Sequence, residues 1–172
     1  MLDTYRDLIV NQYEAAFCTL NACIDRCPDD AWNMPIANHK FGQVAFHALF
    51  FADYYLGPNA GAQRDQRFHR DHTHIFDDYE ELQDRAPIQL HDRSFTRKYL
   101  DHCRSKVRDV VAAETAESLS ARADFEGKAF SRAELHVYNI RHIQHHAAQL
   151  ILRLRIDCNQ DTPWFRSGWQ DA

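Results

Sequence analysis

Two histidines four residues apart are the strongest chemical signal in this sequence. His142 and His146 lie in the segment RHIQHHAAQL, whose apolar residues recur with a helical period. Residues at this spacing lie one above the other on a single helix face, so the two imidazoles can bind one divalent ion. His145 falls on the far side of the pair, where we expect exposure to solvent. The pair alone is weak evidence for a metal, because histidines also occur at this spacing on ordinary polar helix faces.

A third histidine lies far away in the sequence. His47 is embedded in the apolar run VAFHALFF, so its ring is expected to be buried and to need partners for its polar nitrogens. One interpretation is a core histidine bonded to a backbone carbonyl or a tyrosine. The other is that His47 faces His142 and His146, since metal sites in helix bundles are built from side chains on facing helices. The residues themselves leave both interpretations open.

Three further side chains are candidates for orienting a ligand or accepting a proton. Tyr138 and Gln149 share the helix face of the histidine pair, and Asp53 lies about 1.5 turns beyond His47. Each also has an ordinary interpretation, as a packed tyrosine, a capped amide and a solvated aspartate. No glutamate follows His142 as in HExxH zinc proteases, and neither a G-x-S-x-G motif nor a P-loop is present. No general base is therefore assigned.

Four long segments with helical periodicity must position these side chains. They span residues 3–26, 38–56, 94–117 and 131–156, and Pro28 and the Gly57-Pro58 pair end the first two. Ser131 and Glu134 have the spacing of a capping box at the start of the last segment. This pattern predicts one all-α domain over residues 1–172, a four-helix bundle with a long crossover between its second and third helices.

The crossover and the tail are the least regular parts of the sequence. Residues 59–93 are polar and are expected to form a crossover with a short helical turn, or a lid, near the mouth of the site, where they would set substrate choice. Its histidines favour that interpretation over a second metal site; they are His69, His72, His74 and His91. The tail, residues 157–172, carries Trp164, Phe165 and Trp169. We expect these aromatic residues to dock on the domain, with a partner surface as the alternative.

Composition excludes several classes of protein. The chain of 172 residues has a formal net charge of −5, without the basic surplus that nucleic-acid binding requires. The most apolar stretch, residues 44–52, is about half as long as a membrane span. No signal peptide is recognised, and the five cysteines form no CxxC motif. We therefore expect a cytoplasmic protein whose cysteines are free thiols and mostly small core residues.

The order of these motifs resembles a known family. A lone histidine in an apolar second helix, followed by a late helix with H-x-x-H-H-x-x-Q-L, is similar to the DinB-like bacterial helix bundles that include the YfiT-like proteins. The resemblance extends over nearly the whole chain. It implies that His47, His142 and His146 bind one divalent metal. Many members carry glycine after the paired histidines, whereas this chain has Ala147-Ala148, which leaves the ligands untouched but could narrow the adjacent pocket.

The resemblance also implies a range of activities. The metal could be Zn, Ni, Fe or Mn, because imidazole suits several ions. Some relatives are transferases that use a low-molecular-weight thiol such as mycothiol or bacillithiol, and others have been considered small-molecule hydrolases. A metal-dependent enzyme of one of these kinds is the leading hypothesis. The alternatives are a non-catalytic bundle that binds a metal or ligand, and a structural homodimer whose histidines serve packing.

Overall fold

Four long helices form the body of the molecule in the computed structural model, which describes residues 1–36, 39–76 and 92–170. The elements in chain order are α1 (Leu2–Arg26), β1 (Pro35–Ile36), β2 (His39–Lys40), α2 (Phe41–Leu56), α3 (Arg67–Arg70), α4 (Thr73–Phe76), α5 (Arg93–Ala113), α6 (Ala116–Ser120) and α7 (Arg132–Cys158). Helices α1 and α2 each pack on both α5 and α7. The predicted all-α architecture is confirmed, with α1 and α2 on one diagonal of the bundle.

The core fills the space between these four helices. Its largest fully buried side chains include Tyr13, Phe17, Phe46, Leu49, Tyr99 and Ile143. Burying an aliphatic or aromatic side chain of this size stabilises the fold by about 1.5–3 kcal/mol. The cysteines are free, and Cys18, Cys23, Cys27 and Cys103 are buried, as expected for small core residues. Burial raises the pKa of Cys23 and of Cys27 to about 12, so neither is a thiolate at neutral pH.

Helix α2 begins later than residue 38, where the sequence placed it. Strands β1 and β2 pair antiparallel, and the helix starts only at Phe41, where the Gln43 side chain accepts a 3.1 Å hydrogen bond from the backbone N–H of Lys40. Gly42 packs directly under Trp32, since a Cβ at this position would lie 2.4 Å from the indole ring. This contact fixes the end of α2 from which His47 projects.

The predicted C-terminus of the third helix is wrong. Helix α5 ends at Ala113, not at residue 117, and the separate helix α6 follows. Thr115 caps α6 by accepting a hydrogen bond of 3.1 Å from the N–H of Ser118. The Ser131 cap of α7 is present, because its hydroxyl accepts from the N–H of Glu134 at 3.2 Å. Helix α7 ends at a left-handed residue, Asn159, with φ of 51°.

Arg132, in the first turn of α7, joins this helix to the end of α2. Its guanidinium donates to the backbone oxygens of Tyr55, Leu56 and Gly57 at 2.8–3.0 Å. The same group donates to Glu114 at 2.8 Å. These bonds satisfy carbonyls that the last turn of a helix leaves without partners. They also place the C-terminus of α2 beside the N-terminus of α7, so the two helices run antiparallel.

The crossover and the tail are partly ordered on the body. The crossover contains a 3-10 turn at Ala60–Gln63 and helices α3 and α4, whereas His91 and the acidic run at 77–81 lie outside the described residues. In the tail, Phe165 is buried against α1 and the Arg104 guanidinium lies 3.2 Å from the Trp169 ring centre. Trp164 is 84% exposed, so docking of the tail is confirmed for two of its three aromatic residues. No described helix is long and apolar enough to cross a membrane.

Candidate metal centre

Three imidazoles meet between helices α2 and α7. His47 projects from α2, and His142 and His146 project from α7 one turn apart. One nitrogen from each ring lies within 4.8 Å of the others, and the ring centres are 4.6–5.4 Å apart. The predicted approach of His47 to the pair across the bundle is therefore confirmed. All three rings are partly buried, and Phe51 stacks near His47 and His142 with ring centres 4.8 and 5.5 Å away.

The three rings are neutral at physiological pH. Burial lowers the pKa of His47 to about 3, and its neighbours His146 and His142 lower it further. Burial likewise lowers the pKa of His142 to about 3, helped by His146 and His145. The pKa of His146 is also lowered, mainly by burial, although its hydrogen bond to Gln149 opposes the shift. Neutral imidazoles have a lone pair on one nitrogen, which is the form that binds metals.

Gln149 fixes the orientation of one ring. Its Oε1 lies 3.0 Å from Nδ1 of His146, and because a carbonyl oxygen only accepts, Nδ1 must hold the proton. The lone pair of His146 is therefore on Nε2, which lies 3.2 Å from Nε2 of His142. The amide nitrogen of Gln149 lies 3.1 Å from Nε2 of His145. A partner that fixes the tautomer of a histidine in this way is typical of metal sites.

The residues present fit a divalent ion. The donor set is three neutral imidazoles, which suits Zn²⁺ and several other transition metals. Nδ1 of His142 is buried without a hydrogen-bond partner among the described residues, a cost that ordinary packing does not explain. In the part of the chain that the structure describes, no fourth cysteine, histidine, aspartate or glutamate joins the group. Three protein ligands would leave a coordination position for an exogenous molecule.

Tyr138 lies at the mouth of the site, one turn before His142. It lines a cavity of about 430 Å³ together with His142 and His145. The Lys128 ammonium donates to its hydroxyl oxygen at 3.0 Å, and the Tyr55 ring lies 5.3 Å away. Burial would raise the pKa of Tyr138, but Lys128, Tyr55 and Arg141 together outweigh it and the pKa is lowered. The predicted position of Tyr138 beside the histidines is confirmed.

Asp53 belongs to a different cluster and is not solvated. Its carboxylate is 0% exposed and accepts from Tyr99 at 2.9 Å, from His69 at 2.5 Å and from Lys106 at 2.5 Å. Burial would raise the pKa of Asp53, but His102, His69 and Lys106 hold it well below its usual value. None of the three site histidines is among the partners recorded for this carboxylate. The assignment of Asp53 as a helper of the histidine site is therefore wrong.

His39 is a residue near the site that sequence reasoning missed. Its charge lowers the pKa of both His47 and His146, so it lies close to them. Its buried Nδ1 has no hydrogen-bond partner in the described ranges. The strand β2, just before α2, brings it there. The eight-residue spacing to His47 is the only signal in the sequence, and it becomes informative only when the β1–β2 pair is known.

The crossover histidines form no second metal group within the described residues. His69 is buried and its Nε2 donates to the Asp53 carboxylate. Nδ1 of His72 donates to the carbonyl of Phe68 at 2.8 Å. Nε2 of His72 lies 2.9 Å from the Lys98 ammonium, and His74 is exposed. These bonds attach the crossover to α2 and α5.

One comparison with known proteins gives a match. The model of the DinB superfamily matches residues 12–150, which is more than half of the chain. No curated protein and no solved structure matches the chain significantly. The matched region includes His47, His142 and His146 as well as Gln149.

Proposed function

The chain belongs to the DinB superfamily, and from that premise we propose that it is a divalent-metal-dependent enzyme acting on a small molecule. His47, His142 and His146 hold the ion. The reaction is transfer of a low-molecular-weight thiol, such as mycothiol or bacillithiol, or hydrolysis, with Zn, Ni, Fe or Mn as the metal. The five free cysteines support a reducing compartment such as the cytoplasm.

The observation that carries this proposal is the convergence of three neutral imidazoles between α2 and α7. Their nitrogens lie within 4.8 Å of one another, and Nδ1 of His142 is buried without a described partner. A packing role would be expected to satisfy that nitrogen through a carbonyl or carboxylate. One divalent ion bound between the three rings would account for their convergence.

Three side chains around the histidines have distinct roles in this proposal. When bound, a divalent ion supplies a Lewis acid that makes water or a thiol more nucleophilic at neutral pH. Gln149 holds His146 in the tautomer whose Nε2 lone pair faces His142. Phe51 covers His47 and limits access of water from that side. Tyr138 stands at the cavity, where its hydroxyl can bind a substrate.

Two features favour an enzyme over a storage site or a structural dimer. Three protein ligands leave room for an exogenous one, whereas structural sites usually close with four. The cavity beside His142 gives such a molecule access to that histidine.

Elemental analysis of the purified protein and its His142→Ala variant tests the metal. We expect about one equivalent of metal in the parent and none in the variant. His74→Ala, which removes an exposed histidine of α4, is the matched control and should keep the metal. Absence of metal from the parent, even after reconstitution, would contradict the proposal.

The loaded protein is then assayed for the two reactions. Thiol transfer is followed as loss of free thiol in the presence of an electrophile, and hydrolysis with chromogenic esters and amides. Activity that disappears with chelator and with His142→Ala supports the enzyme. A fully loaded protein that catalyses neither reaction would favour the non-catalytic alternative.

A further inference from the structure

The cavity beside His142 carries a charge pattern that the three histidines do not explain. Its lining comes from one face of α7 and consists of Tyr138, Arg141, His142, Gln144 and His145. No carboxylate is among these lining residues. At its edge the Lys128 ammonium lies 3.0 Å from the Tyr138 hydroxyl and 4.3 Å from the centre of that ring.

Lys128 and Arg141 differ from Arg104 and Lys106, two cations that pack inside the bundle. Arg104 pairs with Glu14 and Lys106 pairs with Asp53, so these charges are neutralised by buried carboxylates. Across residues 1–36, 39–76 and 92–170, no carboxylate forms an ion pair with Lys128 or Arg141. Arg141 lines the cavity, and Lys128 contacts the hydroxyl of Tyr138, another lining residue, so both charges lie beside the same cavity.

The geometry points to a binding site for the carboxylate of a small anionic substrate, formed by Arg141, Lys128 and the Tyr138 hydroxyl. This inference rests on the proposed function for what happens next to the carboxylate, because the reacting part of the substrate would then lie at the three histidines. It adds the class of substrate, which the histidines alone do not define.

The three groups suit a carboxylate in complementary ways. The planar guanidinium of Arg141 can donate two parallel hydrogen bonds to its two oxygens. Lys128 contributes a point charge beside the Tyr138 hydroxyl. The Tyr138 oxygen already accepts from Lys128, so its own proton can be donated to a substrate oxygen. A neutral substrate would leave two cations unpaired beside His142.

A titration with matched ligands tests the site. Propionate and propionamide have nearly the same shape and differ in charge, and their binding is followed by NMR shifts of the Arg141 and Tyr138 amides. The protein is titrated with and without metal. We expect propionate to bind at least about tenfold more tightly than propionamide, and Arg141→Gln or Lys128→Gln to weaken propionate by about tenfold.

Arg70→Gln is the matched control, because Arg70 is an exposed arginine of α3 that does not line the cavity. It should leave the preference for propionate unchanged. Circular dichroism of each variant verifies that the fold is retained. Equal affinity for propionate and propionamide, or a preference that survives both glutamine substitutions, would overturn the inference.

The two metal states separate this inference from the proposed function. Preference for propionate in a protein that binds no metal supports the carboxylate site while the metal proposal fails. A loaded protein without that preference overturns the carboxylate site and leaves the metal proposal intact. Methyl phosphate is the third ligand, and tighter binding of it than of propionate would overturn the carboxylate assignment.

Discussion

Helix α2 contributes to two polar clusters that differ in how their buried groups are partnered. Asp53 accepts hydrogen bonds from His69 and Tyr99 and pairs with Lys106, so its charge is compensated by the protein itself. His47, only six residues earlier, meets two other neutral imidazoles and no described carboxylate completes the group. The Asp53 cluster is saturated by its own neighbours, whereas the histidine cluster is complete only with a ligand.

The comparison separates residues that hold the fold from residues that hold a ligand. A buried ion pair contributes little when intact relative to an apolar pair, but removing one partner is costly because the other charge is stranded. Neutral imidazoles leave no such charge behind when one is removed. We therefore expect substitutions in the Asp53 cluster to change stability and those in the histidine cluster to change metal binding.

The largest expected effect is the loss of stability in Asp53→Asn. The substitution leaves the partly buried Lys106 ammonium beside a neutral amide at a fully buried position, so the free energy of unfolding should fall by about 3–5 kcal/mol. Urea denaturation of the metal-free protein measures it. Asp25→Asn is the control, since Asp25 pairs with Arg97 at the surface and should contribute only about 0–1 kcal/mol. A similar small loss in both variants would remove the distinction between the clusters.

Metal should stabilise the parent by mass action. At a free metal concentration of about 100 times Kd, the expected gain in free energy of unfolding is about 2.7 kcal/mol. His142→Ala should show the same stability with and without metal, whereas Asp53→Asn should keep the gain. Melting curves with metal and with chelator measure both. Identical melting temperatures for the parent under the two conditions would argue against a site.

A smaller effect is expected from Gln149→Ala. The substitution removes the acceptor that fixes the tautomer of His146, so metal affinity should fall about 10–100-fold with stoichiometry unchanged. Competition with a chromogenic chelator measures the affinity. Gln160→Ala, at an exposed position beyond α7, should have no effect. An unchanged affinity in Gln149→Ala would show that His146 is oriented by other contacts.

The smallest expected difference lies in the acid limb of the stability curve. The folded pKa of Asp53 is below that of the unfolded chain, so its stabilisation is present above about pH 4 and is lost as pH falls toward the folded pKa. Asp53→Asn should therefore lose less stability than the parent below pH 4. Glu114, whose pKa is lowered to about 2, keeps part of the dependence in the variant. The urea midpoints of the parent and of Asp53→Asn are measured from pH 6 to pH 3. If Asp53 contributed nothing, the two sets of midpoints would decline in parallel.

The histidine cluster could be predicted from the sequence because its geometry is local and repetitive. The spacing of His142 and His146 follows from the pitch of one helix, and the apolar run around His47 indicates that this residue faces the bundle interior. The DinB-like resemblance then brought the two segments together. The long helices were predictable for the same reason, since their apolar period extends over many turns.

The Asp53 cluster could not be predicted, because its partners come from distant and irregular segments. His69 lies in the short helix α3 and Lys106 lies 53 residues away on α5. A lone aspartate in α2 is equally compatible with solvent until these elements are placed. His39 was missed for a related reason, because a pair of two-residue strands positions it. The end of α5 depends on the Thr115 cap, which interrupts an otherwise helical pattern.

The contacts of Arg132 with the end of α2 determine how the distant histidines of α2 and α7 line up. His47 lies nine residues before Leu56, and His142 lies ten residues after Arg132. At 1.5 Å per residue, the two histidines are therefore about 14 and 15 Å from the anchoring point along antiparallel helices. Deleting one residue between Arg132 and His142 would shift the histidine pair by about 1.5 Å and rotate it by about 100°. The two distances are nearly equal, so the contacts of Arg132, which does not touch the site, bring the three rings to the same level of the bundle.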